Sequence, residues 1–186
     1  MKLLKETIAA IPGLNEYAMQ QTQLRLDGLT KPPGSLGKLE EIAVQLAGIT
    51  GQTFPTVDVA RVVLFAADHG VVEEGVSAFP QDVTAAMVLN FLNGGAAVNV
   101  FARQAKSQIQ LVDIGVKETI NHPELIQKKV KAGTDNFCLG PAMTSEEAIQ
   151  ALEIGISMAH LAQNQGVQLL ATGEMGIGNT TASSAL

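Results

Sequence analysis

Tryptophan is absent from this sequence, cysteine and tyrosine occur once each, and aromatic residues make up only 4% of the chain. Any core must therefore be aliphatic, built from Leu, Ile, Val, Ala and Met. The hydrophobic share of 46% over 186 residues and a mean hydropathy of +0.21 suffice for one domain, or one domain with a small appendage. The lone Cys138 excludes an internal disulfide and a thiolate metal cluster, and fits a reducing cytoplasm. Basic residues are also few: 12 Lys and Arg against 18 Asp and Glu leave a net charge of −6. Nucleic-acid binding needs clustered cations to neutralise phosphates. The densest group here, Lys128, Lys129 and Lys131, reads as a solvated face. No apolar run approaches the roughly 20 residues of a membrane span, and Met1 to Glu6 carries no signal-like apolar core. The expectation is a cytoplasmic protein with no nucleic-acid and no membrane partner.

What is present is a change of pattern along the chain. Residues 1–54 read as helical. Pro12-Gly13 ends a short segment, Asn15 suits the cap of a longer one, and Gly28 stops it. Leu36, Leu39, Ile42, Ala43, Leu46 and Ile49 then recur at helical spacing up to Gly51. From residue 55 to 186 strands alternate with helices. Val62 to Ala67 is a continuous apolar run, as in a strand buried on both faces. A helix is expected from Pro80, with Asp82 in its first turn, to about Leu92. Gly94-Gly95 separates it from another helix ending at Gln104. Gln108 to Asp113 is a second strand, and Lys117 to Leu139 is ambiguous. Thr144-Ser145-Glu146-Glu147 is a capping box opening a helix to about Asn164. Val167 to Ala171 is a third strand, and the glycine-rich stretch from Gly173 is expected to be its loop. This order predicts an α/β fold, a parallel sheet with flanking helices in a Rossmann-like three-layer arrangement, preceded by a small helical section.

In such sheets ligands bind beyond the carboxyl ends of the strands. All three strand ends carry polar residues or glycine: Asp68-His69-Gly70, Asp113-Ile114-Gly115 and Gly173-Glu174. The stretch Gly173 to Thr181 combines glycines with a helix start, which suits a phosphate. It has neither the lysine of a Walker loop nor dinucleotide spacing. A tight turn without a ligand fits the same pattern. Glu174 could meet a sugar hydroxyl or a heterocyclic N–H. Asp68 and His69 could be metal ligands, an acid/base pair, or structural hydrogen-bonding groups. A Ser77, His69, Asp68 triad can be written, but it lacks the G-x-S-x-G elbow. Lys31-Pro32-Pro33-Gly34 reads as a rigid connector, with Lys31 alternatively reaching a phosphate.

Five motifs stand in order along the chain: Lys31 to Gly37, Ala67 to Val71, Ser77 to Gln81, Gly140 to Thr144 and Gly173 to Thr181. Together they resemble the nicotinate-nucleotide–dimethylbenzimidazole phosphoribosyltransferase family of cobalamin biosynthesis, over essentially the whole chain. The resemblance implies transfer of ribose 5-phosphate from nicotinate mononucleotide to 5,6-dimethylbenzimidazole, with no metal and no cofactor. It implies that Ser77, Phe79 and Met87 lie near the benzimidazole. It also implies that Glu174, Gly176, Ile177, Gly178, Asn179 and Thr180 face the nucleotide. Family members are homodimers and run to roughly twice this length. Their general base is a glutamate far downstream, of which Glu174 is not the equivalent. This chain is accordingly expected to be a catalytically incomplete fragment that self-associates through an unfinished sheet. The other reading is a non-catalytic piece that binds a nucleotide or aromatic base, or one half of a split protein.

Overall fold

A computed structural model describes residues 1–186. The chain forms two compact units, Ile8–Val57 and Met1–Thr7 with Asp58–Leu186. The boundary lies three residues beyond the expected 54, and the first seven residues belong with the α/β unit. The reason is local. The Met1 ammonium pairs with Glu153 at 2.6 Å, and the Leu4 N–H donates to the same carboxylate. These contacts hold the Glu153 carboxyl below its ordinary pKa, the ammonium hydrogen bond contributing most.

Helix α1 spans Lys2–Ala10. In the helical unit, α2 (Glu16–Asp27) starts where Asn15 Oδ1 accepts the Ala18 N–H and stops at Gly28. Helix α3 (Lys38–Thr50) ends at Gly51 in the left-handed conformation, φ 68°, where a side chain would be strained. Ala18, Thr22 and Leu26 are buried on α2, and Ala47 and Gly48 on α3. A Cβ at Gly48 would stand 2.7 Å from Met19 Sδ, so glycine there permits close helix packing. Lys31 to Gly37 lies between α2 and α3, and Lys31 pairs with Glu40 at 2.9 Å.

The α/β unit is built on β1 (Ala60–Ala67), β2 (Gln108–Gly115), β3 (Leu125–Gln127) and β4 (Leu169–Met175). They pair in parallel in the order β3-β2-β1-β4. Strand β1 is central, as its unbroken apolar run implies. Its alternation divides the core. Leu64 and Ala66 join Ala85, Val88 and Phe91 of α4 (Val83–Leu92) on one face. Val63 and Phe65 meet Met158, Ile154 and Leu161 of α6 (Ser145–Asn164) on the other. Both bonds of the Thr144–Glu147 capping box form at the start of α6. The result is the expected three-layer parallel α/β architecture.

One segment the sequence left open is resolved, and two readings need correction. Strand β3, within the ambiguous segment, is only three residues long and exists through pairing with β2. Helix α4 begins at Val83, after turns in which the Pro80 carbonyl accepts the Val83 N–H and the Gln81 carbonyl accepts the Thr84 N–H, so Asp82 is its cap position. The stretch Val83–Gln104 is long and apolar enough for a membrane span by composition, at a mean hydropathy of 1.4. The fold breaks it at Asn93 to Ala96 into α4 and α5 (Ala97–Gln104), and α4 buries Thr84, Ala85, Val88 and Phe91 in this unit. Gly94, at φ 73°, makes that break possible.

Candidate functional site

The strand order places a switch point between β1 and β4. The sheet grows from β1 through β2 to β3, and then β4 pairs with the opposite edge of β1. Connections leaving neighbouring strands on opposite sides open a crevice at their carboxyl ends. Residues Asp68 to Gly70 leave β1 there, and Gly176 to Gly178 leave β4.

Strand β4 continues through Met175, so Gly173 and Glu174 lie in the strand, not in the loop expected from the sequence. Pairing with β1 holds them in extended backbone, Glu174 opposite Phe65. Glu174 thus stands at the strand end with both carboxylate oxygens engaged. His69 Nε2 lies 3.0 Å from Oε1, and Asn179 Nδ2 donates to Oε2. The Glu174 side chain is 40% exposed and that of His69 15%. The imidazole is therefore covered while the carboxylate keeps an open side.

The two glycines that follow are required by space and conformation. A Cβ at Gly176 would lie 2.2 Å from the Ala67 carbonyl oxygen, 2.7 Å from His69 Cδ2 and 2.8 Å from Glu174 Oε1. Gly178 adopts φ 86° at the cap of the short helix α7 (Asn179–Ala185). Between them, the Ile177 N–H donates to Thr84 Oγ1 at 3.1 Å, a hydroxyl that is fully buried on α4. The Asn179 N–H returns to the Gly176 carbonyl. Two loop N–H groups are thus spent on holding the turn, and the Asn179 amide on holding Glu174. The Thr180 hydroxyl lies 3.5 Å from Asn179 Oδ1.

Asp68 makes structural hydrogen bonds through one carboxylate oxygen, while its buried Oδ1 has no partner. It is buried, and its Oδ2 accepts the Lys117 N–H at 2.7 Å. Its backbone exchanges hydrogen bonds with Gly115 and Thr134. Asp113, fully buried, caps its own strand end through the N–H groups of Gly115 and Val116. The written triad is not assembled: Ser77 Oγ accepts the Phe79 N–H, Asp68 faces Lys117, and His69 faces Glu174. No group of three or more His, Cys, Asp or Glu side chains converges to hold a metal.

The segment Ser77 to Gln81 is tied to the site by its last residue. Gln81 Nε2 donates to the His69 carbonyl at 3.0 Å, and Lys117 Nζ donates to Gln81 Oε1 at 2.6 Å. Phe79 is 65% exposed, whereas Met87 packs against the α4-side core. Sequence reasoning gave no role to Thr84, Gln81 or Lys117, since nothing local marks a threonine or glutamine that bonds across the fold.

Two clefts flank the strand ends. One, of about 500 Å³, is apolar apart from His69 and Thr134, with Val71, Phe137 and Met143 among its walls. The other, of about 420 Å³, is polar, with Lys117, Lys131, Glu73 and Asn136 in its lining. Lys131 is held above its ordinary pKa by its hydrogen bond to Asp135.

A family model described as phosphoribosyltransferase (DBI_PRT) matches residues 11–186. This chain belongs to that family. It is 54% identical over 186 residues to the nicotinate-nucleotide–dimethylbenzimidazole phosphoribosyltransferase of Halalkalibacterium halodurans, covering 100% of this chain and 52% of the relative. The protein of that name from Roseiflexus castenholzii is also 54% identical, over 187 residues, with 53% of it covered. The crystal structure of the same-named protein of Thermus thermophilus superposes with a TM-score of 0.89 at 52% identity, over 92% of this chain and 52% of that one. The chain thus spans about half the length of the curated relatives it matches.

Proposed function

We propose that this chain forms the β1/β4 strand-end site of an enzyme that moves ribose 5-phosphate from nicotinate mononucleotide to 5,6-dimethylbenzimidazole. A benzimidazole nitrogen attacks the anomeric carbon of the ribose. The bond from that carbon to the nicotinate nitrogen breaks, and its electron pair returns to the ring. The leaving group departs as neutral pyridine nitrogen, so no general acid is needed. The remaining N–H proton of the benzimidazole passes to a base. The products are α-ribazole 5′-phosphate and nicotinate.

The observation that carries this reading is Glu174, anchored on one side by His69 and Asn179 and open on the other, at the switch-point crevice of a phosphoribosyltransferase-family chain. A carboxylate so held is a fixed acceptor for ribose hydroxyls. The resemblance assigns the proton-accepting role to a residue other than Glu174. The resemblance places that base outside Met1–Leu186. The reading extends, as the resemblance implies, to a cytoplasmic homodimer.

A chimera tests the function. The 186 residues replace the matching half of the Halalkalibacterium halodurans relative, and nicotinate release is followed with both substrates. Turnover supports the reading; a folded, inactive chimera beside an active parent overturns it. The second reading, base or nucleotide binding without chemistry, is favoured by the apolar cleft beside His69. It predicts that the 186-residue chain alone binds 5,6-dimethylbenzimidazole in calorimetry.

A further inference from the structure

We propose that His69 is a positioning residue for Glu174, fixing the direction in which that carboxylate meets the sugar. The inference rests on the function proposed above and gives a role to a motif residue whose alternatives the sequence left open. An ionised carboxylate only accepts hydrogen bonds, so the imidazole nitrogen 3.0 Å from Glu174 Oε1 must carry the proton. The bond spans 105 residues and joins the ends of two adjacent parallel strands. The His69 backbone is itself pinned, because its carbonyl accepts from Gln81 Nε2 at 3.0 Å. Gly176 leaves room for the ring to lie against the β4 loop.

Exposure sets the order of the two groups. The ring is the more covered partner and the carboxylate the more open one. His69 thus supports Glu174 from behind. With one donor on each oxygen, a carboxylate of roughly four acceptor positions keeps about two for a ligand. Without His69, only the Asn179 amide holds the carboxylate, and the side chain gains rotamers about that single bond that turn those positions away.

Steady-state kinetics of the chimera test this role. His69→Ala is expected to lower kcat/KM about 10- to 100-fold, the scale of a misplaced positioning group. His69→Gln, whose amide nitrogen reaches the Nε2 position, is expected to recover most of the loss. His69→Asn, whose amide stops short, is not, and that pair carries the comparison should the alanine variant not fold. In a Glu174→Gln background the His69→Ala effect is expected to shrink, since the two act as one unit. An equal fold-loss in both backgrounds, or no difference between the Gln and Asn variants, overturns the role and leaves the proposed function standing. An inactive wild-type chimera beside an active parent overturns both. Nitrogen-15 NMR of the 186-residue chain gives a readout independent of turnover. A protonated Nε2 is expected, and a neutral ring protonated at Nδ1 alone refutes the proposal.

Discussion

Replacing Gly176 by alanine is the most direct challenge to the site as built. The added methyl would lie 2.2 Å from the Ala67 carbonyl oxygen, 2.7 Å from His69 Cδ2 and 2.8 Å from Glu174 Oε1. All three are shorter than side-chain carbon atoms normally reach. The carboxylate can swing aside, but the Ala67 oxygen belongs to the last residue of the central strand. It moves only if the end of β1 moves. Overpacking of this kind costs about 1–3 kcal/mol. Breaking the charged hydrogen bond between His69 and Glu174 removes a bond of about 1.5–3 kcal/mol net. The same displacement causes both, so we take about 2–3 kcal/mol together. For a chain of this size each kcal/mol lowers the melting temperature by about 2–4 °C, giving a drop of about 4–12 °C. Circular dichroism melts of the wild type and Gly176→Ala measure it. Gly155→Ala is the control: it lies within α6, where an added methyl meets open space, and alanine in a helix gains about 0.5–1 kcal/mol. A Gly176→Ala melt within about 2 °C of wild type would refute the packing argument.

Thr84→Val keeps the shape of the side chain but leaves the Ile177 N–H without its acceptor, at an expected loss of about 1–3 kcal/mol in urea unfolding. An unchanged midpoint would mean the loop does not depend on that hydroxyl. Thr144→Ala removes the hydroxyl that accepts the Glu147 N–H, and the expected loss is about 1 kcal/mol; hydrogen exchange should quicken first in the opening turn of α6. In the helical unit, the Lys31 hydrogen bond holds the Glu40 carboxyl below its ordinary pKa, with the Leu36 N–H adding to it. A depressed carboxyl pKa contributes stability that is present above the ordinary glutamate value and lost as pH falls through the lowered one. Acid titration of that unit should therefore show a loss of stability below the ordinary glutamate range, and Glu40→Gln should flatten it. An identical acid limb in both proteins would show that the pair contributes nothing.

Much of the architecture was legible because it depends on local chemistry. Asn15, Gly28, Gly51 and the Thr144 capping box mark helix ends through bonds made within a few residues, so their spacing alone locates them. The apolar run of β1 announced a strand covered on both faces. The end of β4 was read four residues early, at Ala171 instead of Met175, because Gly173 looks like a loop residue in isolation. It is extended in the structure only because Leu64 lies opposite it in β1. Strand β3 is similarly invisible locally, being three residues fixed by a neighbour.

The composition, the alternation of strands and helices and the five ordered motifs determined the fold class and the family by themselves, since each is a property of the chain read in order. The sheet order, and with it the switch point between β1 and β4, came only from tertiary structure. So did the union of His69 with Glu174 and of Ile177 with Thr84. Residues 105 and 93 positions apart carry no local signal of one another. They meet because parallel pairing sets the ends of β1 and β4 side by side, while α4 packs across the face of the same sheet.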